Sequence, residues 1–228
     1  METIPLRRRI LDTIVRKSTL KQKVFDNTFW AFNLLKDTLL EMASEMDDEL
    51  DGKLDRRVRI EYRDRGKFEA QLQVANDILI FQMHTDVFEF DTNHLIWQNP
   101  YVQSDCDNSY CGLINIYNFL SDSFKFNRNA DEGYLIGRIF INREHRYFVE
   151  GKQQGSMRAT DFGKAEIEQE ALVNILEAAI SFALNFDLLM PPYEENKRVT
   201  VDQFNTKMDN SKFVTGKRLG YDFDVEDI

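Results

Sequence analysis

The sequence is poor in the residues on which metal sites and disulfide frameworks depend. Its 228 residues include two cysteines and three histidines. A zinc ribbon needs two cysteine pairs, so that class is excluded by count, and a secreted domain of this size ordinarily carries more cysteines. The histidines, His84, His94 and His145, lack the i, i+4 spacing of a helical metal site. We expect no metal and no cofactor, and a disulfide between Cys106 and Cys111 is disfavoured.

The chain also lacks a long apolar run. Its most apolar stretch, residues 178–190, contains Ser181, Asn185 and Asp187 and is shorter than the roughly 20 residues that cross a bilayer. The first residues read Met-Glu-Thr-Ile-Pro-Leu-Arg-Arg-Arg, with no apolar segment of the kind that a secretory signal needs behind them. These features predict a cytoplasmic protein that does not contact a membrane.

Sequence signatures of catalysis are missing as well. There is no G-x-S-x-G elbow, no Walker loop and no G-x-G-x-x-G fingerprint. The segment Asp105-x-Asp107-x-Ser109 begins like a calcium loop, but Tyr110 replaces the central glycine and Ile116 replaces the final acid. The balance therefore favours a protein that is not an enzyme.

What the chain does have is enough apolar surface for a core, and an uneven distribution of charge. Hydrophobic residues make up 43% of it, including 18 Phe and 8 Tyr, and the formal net charge is −10. Such an acidic chain repels a phosphate backbone, so nucleic acid is not expected as a partner. The basic residues nonetheless cluster near the start, at Arg7, Arg8, Arg9, Arg16, Lys17, Lys21 and Lys23.

This basic cluster has more than one interpretation. It is typical of a solvated helix face, and it also suits a docking surface for an acidic partner or for the chain's own acidic segments. One such segment ends the sequence, where Tyr221 and Phe223 alternate with acidic residues. Two further arginines, Arg57 and Arg59, lie on the polar side of a predicted hairpin, where they pair with acids across the strands or form an anion-binding patch.

Hydrophobic periodicity predicts three helices. Residues 6–17 form a short one, and apolar residues at steps of three and four predict a long one over residues 24–46. A second long helix is predicted over residues 164–189, ended by Pro191-Pro192.

Period-two alternation predicts the strands. It is clearest on both sides of Gly66, where residues 58–63 and 68–74 form a hairpin. Residues 77–91 indicate two strands or one bulged strand, and residues 94–97 a short one. Residues 113–126 favour a short helix followed by an extended piece, while residues 134–141 and 146–150 form a central strand and its partner.

The order of these elements predicts an α+β domain over residues 1–190, followed by an extended C-terminal tail over residues 191–228. Its antiparallel, hairpin-linked sheet packs against two long helices, one before and one after the sheet. The predicted function is a non-enzymatic protein-interaction module, such as an adaptor, a chaperone-like binder or an assembly subunit. It would act through the basic N-terminus and the acidic-aromatic tail, on another protein or a second copy of the chain.

The alternative is a small-ligand-binding protein or an enzyme with a pocket between the sheet and a helix. A curved antiparallel sheet beside a long helix often encloses such a pocket. The polar groups that would line it are His84, Asp86, His94 and Arg138.

Overall fold

The computed structural model describes residues 5–53, 55, 58–129, 131–151 and 158–186, together with 193, 197, 200 and 201. Over these residues the chain is α+β, with a six-stranded antiparallel sheet and helices, as the sequence predicts. The strands are β1 (Ile60–Asp64), β2 (Glu69–Val74), β3 (Asp77–Met83), β4 (Cys111–Leu120), β5 (Tyr134–Asn142) and β6 (Tyr147–Gly151). The helices are α1 (Leu6–Leu50), α2 (Pro100–Ser104), α3 (Ser121–Lys125) and α4 (Gln169–Leu184).

The strands lie side by side in chain order, each antiparallel to the next. The hairpin predicted around Gly66 is confirmed, with Tyr62 opposite Leu72 in the β1–β2 ladder. Gly66 adopts a φ of 121°, which suits a glycine in this turn. The strands predicted over residues 134–141 and 146–150 are confirmed as β5 and β6.

One face of the sheet, the first face, packs against both α1 and α4. Phe32, Leu35 and Leu39 of α1 are fully buried there, in one cluster with apolar side chains from the strands and from α4. Helix α1 packs tightly on the sheet at Gly112, where a Cβ atom would lie 2.1 Å from Thr28 Oγ1. Glycine at this position therefore lets the helix lie directly on β4.

The two helices predicted over residues 6–17 and 24–46 are one continuous helix, so that prediction was wrong about the break. Polar residues between 16 and 23 interrupt the apolar stripe, which suggested a boundary. That stretch contains no glycine or proline, and a helix passes through polar residues without cost when they face water.

Residues 113–126 were also predicted incorrectly, because most of them form β4 rather than a helix. Apolar side chains occur on both faces of this strand, so it lacks the alternation of apolar and polar residues that marks a half-buried strand. Leu113, Ile116, Tyr117 and Leu120 happen to recur at helical steps, which favoured the wrong period.

Three smaller differences concern the connections. Residues 95–98 form a 3-10 turn instead of a strand, and residues 84–91 form a loop whose one isolated bridge joins Phe88 to Cys111. The last helix begins at Gln169 rather than at residue 164. The residues before it are extended, because Glu166 forms an isolated β-bridge with Arg146 and the Ile167 backbone N–H donates to His145 O.

The second face of the sheet is covered only in part. Over β4, β5 and β6, a cluster including Phe140, Phe148 and Phe162 is closed by the connection between β3 and β4 and by residues 159–162. Over β2, β3 and β4, the described residues leave the face accessible beside α3. Within the described part of the chain, no helix is both long and apolar enough to cross a membrane.

Candidate functional site

The first turns of α1 project away from the body of the domain. Every residue from 6 to 19, here called the N-terminal arm, is exposed. The arm extends roughly 20 Å, at 1.5 Å per residue. It carries five exposed aliphatic side chains: Leu6 at 70%, Ile10 at 49%, Leu11 at 53%, Ile14 at 54% and Val15 at 66%. A contiguous group of exposed aliphatic side chains of this size is unusual on the surface of a single domain.

The arm joins the domain at a small apolar cluster. Leu20 and Val24 are buried there against Tyr110, with Val87 packed beside them. Lys17, in the last turn of the arm, lies 5.9 Å from the centre of the Tyr110 ring. The cluster therefore marks the point at which α1 passes from solvent into the core.

A cleft of about 480 Å³ lies at this junction, between the arm and the turn that joins β5 to β6. Val15 and Leu20 contribute apolar surface to it. Arg143 lines its other side, where its guanidinium pairs with Asp105 and lies 3.7 Å from the Asp107 carboxylate. The arm thus continues into a groove with both apolar and charged walls.

Electrostatics at the junction hold one carboxyl in its charged form. The Arg143 hydrogen bond, supported by the Asp107 backbone N–H, holds the pKa of Asp105 below its usual value. The charge of Arg16, which belongs to the arm, lowers it further. The arm and the domain are therefore coupled through charge as well as through apolar contact.

Beneath the groove, a hydrogen-bonded group fixes the β5–β6 turn. The Tyr101 hydroxyl donates to Glu144 Oε2 over 2.6 Å and accepts from Asn142 Nδ2 over 2.9 Å. Burial, together with the bond to Glu144, raises the pKa of Tyr101. Asn142 Oδ1 in turn accepts from the backbone N–H groups of Glu144 and Arg146. This group gives the groove a rigid floor.

The structure places the predicted binding residues unevenly. Arg7, Arg8 and Arg9 are exposed in the first turn of the arm, and Arg59 is exposed just before β1. The other predicted binding residues lie outside the described residues, and these are Arg57, Tyr221 and Phe223.

On the hairpin beside Arg59, Arg63 donates two hydrogen bonds to the Glu61 carboxylate. The bond to Arg63 holds the pKa of Glu61 below its usual value. Charge pairing on the polar face of this hairpin is therefore present, both along β1 and, where Arg65 pairs with Glu69, from one side of the turn to the other.

The predicted pocket residues form two separate pairs. His84 Nδ1 accepts from the Asp86 backbone N–H at 3.0 Å, and the two side chains lie 3.9 Å apart. His94 Nε2 lies 3.2 Å from Glu150 Oε1, and Arg138 Nη1 lies 3.9 Å from the other oxygen of that carboxylate. Glu150 was not predicted, yet it is the group that brings His94 and Arg138 together.

The accessible part of the second face holds two adjoining clefts that the sequence did not reveal. One of about 470 Å³, here called the aromatic cleft, lies between the strands and α3 and is lined by Tyr117, Phe119 and Phe124. Its neighbour, of about 500 Å³, includes His84. Arg65 lines both. The aromatic cleft thus lies beside the short helix α3, on the face of the sheet opposite the two long helices.

A signal for the aromatic cleft was present in the sequence. Tyr117 and Phe119 are two residues apart, which places them on one face of a strand. Because residues 113–126 were interpreted as starting with a helix, that alternation was overlooked. Among the described residues no group of His, Cys, Asp and Glu is arranged to hold a metal ion.

Comparison of the chain with known protein families, with curated proteins and with solved structures found no match.

Proposed function

We propose that this chain is a non-enzymatic protein-interaction module whose N-terminal arm binds an acidic polypeptide segment carrying apolar and aromatic side chains. The observation that carries the proposal is the exposure of the whole arm together with its five aliphatic side chains. The partner's chemistry follows from the pattern of those side chains and from the charges around them.

The apolar side chains of the arm form one surface. Leu6, Ile10 and Ile14 are four residues apart and lie one above the other along the helix. Leu11 and Val15 form a second row beside them. Two adjacent rows make an apolar face like those with which amphipathic helices dock on partners.

The charges of the arm select an acidic partner. Arg7, Arg8, Arg9, Arg16 and Lys17 stand against a single acid, Asp12. Three of the arginines occupy the first turn of α1, where the helix dipole is positive and where no side chain of the described residues caps the free N–H groups. Carboxylates of a bound segment would offset this charge. The turn that best suits an acidic ligand is therefore also the turn that its own arginines destabilise most.

The chain itself contains a segment of the required composition. Residues 221–228 read Tyr-Asp-Phe-Asp-Val-Glu-Asp-Ile, in which apolar and acidic residues alternate. We therefore test self-association first, in which the arm of one copy binds the tail of another. Oppositely charged docking surfaces of this kind bind less tightly as salt is added.

The test is a titration of a fluorescent peptide of residues 219–228 with the full-length chain. The chain carries Tyr221→Ala and Phe223→Ala so that its own tail does not compete. We expect saturable binding that weakens with salt, and that falls at least about tenfold when Ile10 and Ile14 are replaced by serine, since a few central apolar residues dominate such interfaces.

The matched control is Leu40→Ser, which replaces an aliphatic side chain of the same helix that is 55% exposed but lies outside the arm. It should leave binding unchanged. A second control is the peptide with its acids replaced by their amides, which should bind more weakly. Failure of the acidic peptide to bind, or equal loss in the Leu40 variant, would contradict the proposal.

A second candidate function is the binding of a small ligand, and the two clefts on the second face favour it. They lie within the size range of small-molecule sites, and one of them includes the predicted residue His84. Thermal-shift measurements of the unmodified chain and of His84→Ala against a metabolite library test this candidate. It requires at least one compound that raises the melting temperature of the unmodified chain more than that of the variant.

A further inference from the structure

The aromatic cleft has an apolar wall made of three aromatic rings. The rings of Phe119 and Phe124 meet edge to face with their centres 5.4 Å apart, and Tyr117 lies 6.5 Å from Phe119. Behind Phe119, a Cβ atom on Gly133 would lie 2.0 Å from the ring, so the ring rests directly on the backbone of this glycine. Aromatic faces fixed in this way suit a flat ligand that stacks on them.

A buried carboxylate lines the same cleft. The Asp131 side chain is 1% exposed, and its Oδ2 accepts a hydrogen bond of 2.7 Å from Ser123 Oγ. Its Oδ1 is buried and has no hydrogen-bond partner in the part of the chain that the structure describes. A buried carboxylate oxygen without a donor is costly, and a ligand N–H group at this position would remove that cost.

The charges that line the cleft balance one another. Arg65 pairs with Glu69 and also donates to Gln71 Oε1 over 2.8 Å, while Arg128 Nη1 lies 4.0 Å from Asp131. Two guanidinium groups and two carboxylates therefore leave no net charge to attract an ionic ligand. The remaining polar side chains of the lining are neutral, and they include the amides of Gln82, Asn127 and Asn129.

We infer that the aromatic cleft binds a neutral, planar heterocycle with a ring N–H or amino group, which is the chemistry of a nucleobase. The base stacks against Phe124 and its neighbouring rings, donates a hydrogen bond to Asp131 Oδ1, and meets the amide side chains along its edge. The cleft volume of about 470 Å³ accommodates a ligand of nucleoside size. Because the cleft and the arm share no residue, this inference stands apart from the proposed function.

The experiment measures binding of adenosine, guanosine, cytidine and uridine to the full-length chain by saturation-transfer NMR, at ligand concentrations up to the millimolar range. We expect at least one of them to bind. Phe124→Ala should weaken that binding by at least about fivefold, the lower end of what one stacked base contributes. Trp30→Ala, which removes an aromatic side chain of similar exposure on α1, should leave it unchanged.

The role of Asp131 is tested in two ways. Asp131→Asn should weaken binding by about tenfold, because the ligand N–H then donates to a neutral acceptor instead of a charged one. Since this buried residue also supports the fold, the second test keeps the natural chain and changes the ligand: the same nucleoside methylated at its N–H positions should bind at least about tenfold more weakly.

Three results would overturn the inference. The first is no detectable binding of any of the four nucleosides. The second is binding that survives both Phe124→Ala and methylation of the ligand. The third is equal binding of ribose alone, which would show that the base is not recognised.

Discussion

The two parts of α1 have the same secondary structure and opposite environments. Residues 6–19 are exposed throughout, whereas residues 20–43 include Phe32, Leu35 and Leu39 at the centre of the core. The comparison shows that helix formation in the arm does not depend on burial. A helix already nucleated in the core extends by one hydrogen bond per residue without a new nucleation cost, which an isolated segment of this length could not offset.

The same comparison separates stability from binding. The buried part of α1 holds the sheet, so changes there should act on folding. The arm is exposed throughout, and its contacts with the rest of the described chain are confined to residues 15–19, so changes before residue 15 should act on partners alone. The following predictions test this division, from the largest expected effect to the smallest.

Leu35→Ala should destabilise the protein by about 2–5 kcal/mol, because it leaves a cavity under the sheet. Ile10→Ala, in the arm, should change the free energy of unfolding by less than about 0.5 kcal/mol. Urea denaturation followed by circular dichroism measures both. A comparable loss in the two variants would mean that the arm belongs to the cooperative unit.

Gly112→Ala should destabilise the protein by about 1–3 kcal/mol, because the added Cβ would lie 2.1 Å from Thr28 Oγ1 and force α1 away from β4. Thr28→Ala in the same chain should restore part of the loss, since it removes the nearest atom. A double-mutant cycle in urea measures the coupling. Additive effects would show that the helix does not contact β4 at this point.

Arg7→Glu together with Arg8→Glu should stabilise the start of the arm by about 0.3–1 kcal/mol for each residue, because carboxylates favour the positive helix end. Amide exchange in the first turns should slow accordingly. The same variant should bind the peptide of residues 219–228 more weakly. A more stable first turn with weaker binding would show that these arginines serve binding at the expense of helix stability. Unchanged binding would argue against recognition of the peptide through charge.

The smallest effect concerns pH. The pKa of Asp105 is held below its usual value by Arg143, so its contribution to stability is complete above about pH 4 and is lost as pH falls through the lowered pKa. Arg143→Gln removes the contribution. The difference in stability between the unmodified chain and this variant should therefore shrink below about pH 4. A difference that stays constant down to pH 2 would contradict the assignment.

Whether the sequence predicted the secondary structure of a segment correctly depended on how that segment is buried. The hairpin around Gly66 was predicted because β1 and β2 alternate in their side chains. The prediction for residues 113–126 failed because both faces of β4 carry apolar side chains, so apolar and polar residues do not alternate along it. The break predicted within α1 failed because exposure, not a change of structure, explains the polar stretch between residues 16 and 23.

The candidate sites divide in the same way. The basic residues of the arm were found from composition, since charge clustering is visible without a fold. The aromatic cleft was not, because Tyr117 and Asp131 come together only through the β4–β5 connection. Glu150, which joins His94 to Arg138, was missed for the same reason. The register between β5 and β6 sets Glu150 beside Arg138, and this register cannot be deduced from the sequence of one strand alone.

The most direct test of the central claim is hydrogen–deuterium exchange along α1, with and without the peptide of residues 219–228, in the chain carrying Tyr221→Ala and Phe223→Ala. We predict that amides of the arm exchange quickly in the free chain and slow when the peptide is added, while amides of residues 24–43 stay protected throughout. Contradiction would come from an arm that is already as protected as the core, or from one whose exchange the peptide leaves unchanged.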